Sequence, residues 1–165
     1  MEPICRRLSL LLALLIALAG CATAGAVPNP RVEMADAGEA EAALGFPVRA
    51  PEGVEAAYTV IGGTAGEALF NVGDIVCTLR AARTQDDISG LFMEMGAPAV
   101  EEHAAGEGAV SVTHRATEEN GGYGVYTWFV DDVQYCLVLH GEAGAMTAAE
   151  ILEGVLTACT PVQEG

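Results

Sequence analysis

The chain has 165 residues, 52% of them hydrophobic, with seven arginines, no lysine, 23 acidic residues and a formal charge of −16. That length supports one domain with a real core, while so few cations exclude a nucleic-acid binder, which must meet phosphates with clustered cations, and a basic membrane-surface helix. The mean hydropathy of +0.36 is high for so acidic a protein, so one segment must be inflating it.

That segment is the N-terminus. Arg6 and Arg7 precede an apolar run over residues 8–19, broken only by Ser9, and small residues follow over 20–26. A charged start, a short apolar run and a small-residue zone describe an export signal that is cut off. The apolar run is about 12 residues, or roughly 18 Å as helix, short of the roughly 30 Å core that a spanning helix must cross. Within the small-residue zone, Leu18-Ala19-Gly20-Cys21 resembles a bacterial lipobox. The resemblance implies that the Cys21 thiol takes a diacylglyceryl group and that residues 1–20 leave as a signal peptide. Fatty chains such as palmitate, at about 0.8 kcal/mol per buried methylene, would then hold the protein on a membrane outside the cytoplasm. Plain secretion is the alternative, with cleavage after Ala24 or Ala26, since both end small-x-small triplets. Loss of residues 1–20 leaves five arginines against 22 acids, a charge of −17.

Residues 21–37, rich in Ala, Pro and Gly, read as a flexible tether, and a single domain is expected over 38–162. A short helix is expected over 37–44, closed by Gly45. Phe46-Pro47 and Pro51-Glu52-Gly53 mark an extended link. The period then changes to two. Strands are expected over 57–61, 68–72 and 75–82, the last two joined by a Gly73-Asp74 hairpin turn. In the third, Ile75, Cys77, Leu79 and Ala81 share one face, and Val76, Thr78 and Arg80 the other. Residues 86–90 suggest one helical turn, and a weak strand is expected near 99–103. Clearer strands follow over 109–116, 124–130 and 133–140, with Asn120-Gly121 and Asp131-Asp132 as turns. Thr147 and Glu150 are spaced as a capping box, and Met146 and Ile151 as a hydrophobic staple. Ala148, Ile151, Leu152, Val155, Leu156 and Cys159 form one helical stripe that should lie on the sheet, and Pro161 stops the helix.

Few residues suggest chemistry. His114 alternates with Val110 and Val112, the setting of a hydrogen-bonded core histidine. His103 follows Glu101-Glu102 in what reads as a solvated acidic loop, and His140 ends a strand at the surface. No Cys-x-x-Cys, His-x-x-x-His or EF-hand pattern provides metal ligands, and no cofactor is implied. Ser89 before Gly90, with Asp86 and Asp87 near, is the best nucleophile candidate, but it lacks the first glycine of a nucleophile elbow. Adjacent acids at Glu118-Glu119 and Asp131-Asp132 point apart into water, as solvated turn residues rather than a working acid–base pair. Tyr123, Tyr126, Trp128, Phe129 and Tyr135 crowd one hairpin. They could stack on sugars or a partner, but alternation assigns them to sheet packing.

After export, Cys77, Cys136 and Cys159 remain in an oxidising compartment, enough for one disulfide. Cys77 and Cys159 share the sheet–helix side, which favours their pairing. Chain geometry instead brings Cys159 level with Cys136, and three free thiols is a third option.

Glu41-Ala42-Ala43-Leu44-Gly45-Phe46 with Pro51, then Thr78-Leu79-Arg80-Ala81-Ala82 running into Asp87-Ile88-Ser89-Gly90, carry a resemblance. So do Tyr126-Thr127-Trp128-Phe129 with its two-acid turn, Tyr135, and the closing helix. From about Glu41 to Ala158 the chain resembles the exported bacterial family known as domain of unknown function 4367. It departs by Val130 before the turn acids and by its three mature cysteines. The resemblance implies an α+β domain on a membrane anchor and supplies no catalytic residues. The expectation is therefore a curled antiparallel sheet of five to seven strands with a C-terminal helix on one face. Its work would be binding or sensing at the cell envelope, through an envelope protein or a small ligand, and no enzymatic activity is expected. The alternative is a hydrolytic or redox enzyme using Ser89, His114 or Cys136.

Overall fold

The computed structural model describes residues 30–106, 108–117, 123–141 and 145–160. The segment expected to be a signal, Cys21 and most of the expected tether, the expected turn at Asn120-Gly121, the Met146 side chain and Pro161 lie outside them. Eight strands are described: β1 (Arg31–Met34), β2 (Ala56–Ile61), β3 (Ala65–Val72), β4 (Ile75–Ala82), β5 (Ala99–Ala105), β6 (Gly108–Ala116), β7 (Tyr123–Val130) and β8 (Val133–His140). Two helices, α1 (Ala37–Leu44) and α2 (Ala145–Cys159), complete the α+β fold. The strands form one open sheet in the order β1-β2-β3-β4-β8-β7-β6-β5, every neighbour antiparallel.

Local chemistry explains the ends of α1. Asp36 accepts from the Glu39 N–H at 2.9 Å, and the Glu39 carboxylate reaches back to the Ala35 N–H at 2.6 Å, so donors left open at the first turn are met. Gly45 closes the helix with φ +75° and its N–H on Glu41 O. Three expectations shift. The sheet already begins at Arg31, inside the stretch read as tether, because β1 pairs with β2 from Arg31↔Ile61 to Met34↔Tyr58. Residues 86–90 form bends rather than a helical turn. Helix α2 starts at Ala145, so Thr147 and Glu150 lie within it and do not cap it.

Alternation gives the sheet two different faces. Leu79, Trp128, Leu137 and Leu139 point to the helix side and bury against Ile151, Leu152, Val155 and Leu156 of α2. Burying each such side chain is worth roughly 1.5–3 kcal/mol, so this side dominates the stability. The link after α1 passes between sheet and helix. A Cβ on Gly66 would lie 2.6 Å from Val48 Cγ2 and 2.7 Å from Leu44 Cδ1, so only glycine permits that approach. Tyr135 Oη donates to Pro47 O at 3.0 Å across the same seam. The second face is covered by the connection over residues 83–98, whose Ile88, Leu91 and Met95 pack on Val125, Cys136 and Val138. Among the described residues, no helix is long and apolar enough to cross a membrane.

Candidate functional site

Strand register lines up one row of side chains across the second face. Glu33, Thr59, Glu67, Arg80, Cys136, Thr127, Thr113 and Val100 are successive cross-strand partners from β1 to β5. At its centre the Glu67 carboxylate, buried on β3, takes Arg31 on one oxygen and Arg80 Nε on the other at 2.8 Å. Two guanidinium groups offset the cost of removing that charge from water. Arg80 also holds the crossing segment: its Nη1 donates to Ser89 O at 2.8 Å and to Ile88 O at 3.2 Å. Farther along, the Gly96 N–H donates to Ala116 O at 2.8 Å. Residues 83–98 are thus pinned to β4 at one end and to β6 at the other.

Between that segment and strands β6, β7 and β8 lies a cavity of about 460 Å³. Its floor is a lattice set by register: Ser111, Thr113 and Arg115 on β6, Phe129, Thr127 and Val125 on β7, and Gln134 on β8. Gln85, Asp87, Ser89, Leu91, Met93 and Met95 form the opposite wall. Gln134 is 7% exposed, and its Oε1 is buried with no hydrogen-bond partner among the described residues, as are Trp128 Nε1 and, beside the second hollow described below, Thr160 Oγ1. Such an acceptor costs about 1–3 kcal/mol when left unmet. Arg115 differs from the other described arginines. Arg31 and Arg80 hold Glu67, Arg49 holds Glu41 and Arg83 holds Asp132, whereas Arg115 has no carboxylate partner among the described residues. A larger hollow of about 940 Å³ lies between the link after α1 and α2, lined by Glu41, Glu52, Glu150 and Glu153 with Arg49 and the half-buried Thr160.

Ser89 reaches the cavity, but its Oγ accepts from the Leu91 N–H at 3.2 Å and its own N–H donates to Asp87 at 2.8 Å. It is a turn residue, and no histidine lines the cavity. The three histidines are not brought together. His114 stacks on Tyr126 at 4.4 Å on the helix side, partly buried. His103 lies 3.7 Å from Glu101, on strand β5 rather than in a loop. His140 is half-buried rather than exposed: it pairs with Thr78 Oγ1 at 2.9 Å and meets Tyr123 edge-on. Desolvation, then the Arg80 charge, lowers its pKa. Among the described residues no group of three His, Cys, Asp or Glu side chains could hold a metal ion.

The three thiols are free and buried. The Cys77–Cys159 pairing allowed by the sequence is not formed, although both residues do lie in the helix-side core. Cys77 Sγ instead donates to Ile75 O and Cys159 Sγ to Arg49 O. Burial pushes Cys77 and Cys136 up to about 11 and Cys159 up to about 12, so none is a ready nucleophile. The aromatic group is split by strand alternation. Trp128 and Tyr135 stack in the core at 5.4 Å, while Phe129 faces the cavity with 39% of its surface exposed.

Gln134 and Arg115 carry no local sequence signal. One reads as an ordinary strand polar residue and the other as a surface cation, and only register brings them to the same hollow. Compared with models of protein families, with curated proteins and with solved structures, the chain matches none.

Proposed function

We propose that this protein is a lipid-anchored, extracytoplasmic binding or sensing module of the bacterial cell envelope, whose ligand occupies the cavity beneath residues 83–98. The anchor rests on the lipobox-like Leu18-Ala19-Gly20-Cys21 behind a short apolar run, and the family resemblance accords with a domain held outside the membrane. The observation that carries the binding reading is a cavity of ligand size that sets the apolar Leu91, Met93, Met95 and Phe129 beside the polar Thr113, Thr127 and Arg115. Binding is favoured over catalysis because the Ser89 hydroxyl is engaged by a backbone N–H and the lining holds no histidine.

Mass spectrometry of the membrane fraction tests the anchor and should find a mature chain beginning with diacylated Cys21. A start at Gly25 or Val27 would sink it. Native mass spectrometry of the protein extracted from its own membranes tests the cavity. We expect a bound small molecule that disappears in the cavity-filling Thr127→Phe variant. An adduct kept by that variant, or none in either protein, counts against the cavity.

A further inference from the structure

We infer that Phe92 and Met93, on the segment over residues 83–98, dip into the surface of the bilayer that holds the anchor, so that the second face of the sheet looks toward lipid and α2 looks away. This rests on the lipid anchor proposed above and is independent of the cavity.

Apolar exposure is one-sided. Of the seven exposed large apolar side chains among the described residues, only Val32 is on the helix side, level with the buried Val60. Leu69, Val76, Val100 and Phe129 stand on the second face: Leu69 is in register with Thr78, Val138 and Val125, and Val76 is two residues before Thr78. Phe92 and Met93 belong to the segment that covers that face. Phe92 is 102% exposed, so its ring touches almost nothing of its own protein. A phenyl ring held wholly in water carries a cost that a lipid surface removes.

The anchor brings that side to the lipid. Arg31, the first residue of β1, pairs with Glu67 on the second face, and Glu67 also takes Arg80, whose Nη1 holds the Ile88 and Ser89 carbonyls. The chain therefore enters the fold beside the segment that presents Phe92. Leu91 and Met95, which flank the tip, pack on Cys136 and Val138 of β8, four strands from β1 and so about 19 Å across the face. The ten residue steps from Cys21 to Arg31 span at most about 35 Å. That is hardly more than the roughly 34 Å breadth of an eight-stranded sheet, so the anchored domain meets the bilayer and only its orientation is open. Helix α2 carries no cation and exposes Glu150 and Glu153, a surface suited to water. A second copy of this chain is the competing occupant of the apolar side. Two copies meeting there would set Asp86, Asp87, Glu94 and Glu102 against the same acids, on chains of charge −16 each. A zwitterionic lipid surface imposes no such repulsion.

Fluorescence of the lipidated full-length protein, purified from its own membranes and placed in phosphatidylcholine vesicles, tests this. The chain's one tryptophan, Trp128, is buried and supplies a constant background. Phe92→Trp adds a reporter at the tip, and Thr157→Trp adds one on the exposed side of α2. We expect Phe92→Trp to shift its emission to the blue and to lose about half its intensity to nitroxides high on the acyl chains, the depth at which an interfacial apolar group lies. Thr157→Trp should emit as in water and keep its intensity. Adding Met93→Asp to Phe92→Trp should restore water-like, unquenched emission with the Tm nearly unchanged, because Met93 is exposed. A water-like, unquenched Phe92→Trp overturns the inference. So does equal quenching of both reporters, which would mean that the domain prefers neither side. A blue shift without quenching by lipid also overturns it and makes the occupant a second copy. Mass spectrometry of the same sample keeps these failures distinct from failure of the anchor, since it reads the diacyl group on Cys21 directly; a chain without that group would remove both the anchor and this inference.

Discussion

The guanidinium of Arg80 fills the space in which a side chain on Gly90 would begin: a Cβ there would lie 3.0 Å from Arg80 Cζ and closer still to Nη1. Gly90 also has φ +70°, a region costly for other residues. One residue of the sheet and one of its covering segment therefore specify each other. This gives physical content to the pairing of Thr78-Leu79-Arg80 with Asp87-Ile88-Ser89-Gly90 in the sequence.

Gly90→Ala should lower the unfolding free energy by about 2–4 kcal/mol, adding overpacking to left-handed strain. Gly53 provides the control, with φ +76° and nothing within 4 Å of a built Cβ. Gly53→Ala should cost only the strain, about 1–2 kcal/mol. Denaturant titrations giving equal losses for the two variants would show that the contact with Arg80 has no energetic weight.

Arg80→Lys should loosen residues 83–98 while leaving the sheet intact. The guanidinium serves Glu67 through Nε and two carbonyls through Nη1, and an ammonium cannot span both. Hydrogen exchange at Leu91, whose N–H rests on Ser89 Oγ, should speed up by about tenfold or more, the equivalent of about 1.4 kcal/mol of local stability. Amides in the centre of β8 should not change. Uniform acceleration would instead mean global destabilisation.

Stability should be highest between about pH 6.5 and 9. Burial raises Cys77 and Cys136 from 9.0 to about 11 and Cys159 to about 12, so the unfolded chain loses these protons first. Stability then falls as pH rises from 9 through 11–12. His140 acts in the opposite sense: it is held below its ordinary 6.5, so the unfolded chain gains the proton first and stability falls as pH drops below 6.5. Calorimetry under reducing conditions should give a Tm plateau with both limbs, and His140→Gln should flatten the acid limb near pH 6. An alkaline limb unchanged in Cys159→Ala would refute the assignment to that thiol.

Gln134→Leu should stabilise the unliganded protein by about 1–2 kcal/mol. It removes an unmet buried acceptor at nearly constant volume and adds apolar contact beside Phe129. A destabilised variant would show that the Gln134 amide supports the fold.

Much of the fold follows from local pattern. Alternation alone sorted Cys77, Leu79 and Ala81 from Thr78 and Arg80, and the stripe from Ala148 to Cys159 marked the buried face of the last helix. Strand β1 escaped because Arg31-Val32-Glu33-Met34 is mostly exposed and short. It is a strand because β2 offers it an edge, a partner that no local window contains. His140 looked exposed at a strand end, yet Thr78 and Tyr123 from neighbouring strands enclose it.

Composition, period and end chemistry determined the element types and which face of each element is apolar, because those properties depend on residues a few positions apart. Strand order, the absence of a Cys77–Cys159 bond and the meeting of Gln134, Asp87 and Arg115 around one hollow depended on tertiary structure. These arise from contacts between segments tens of residues apart, and the free energy deciding them is that of packing the whole sheet between α2 and residues 83–98.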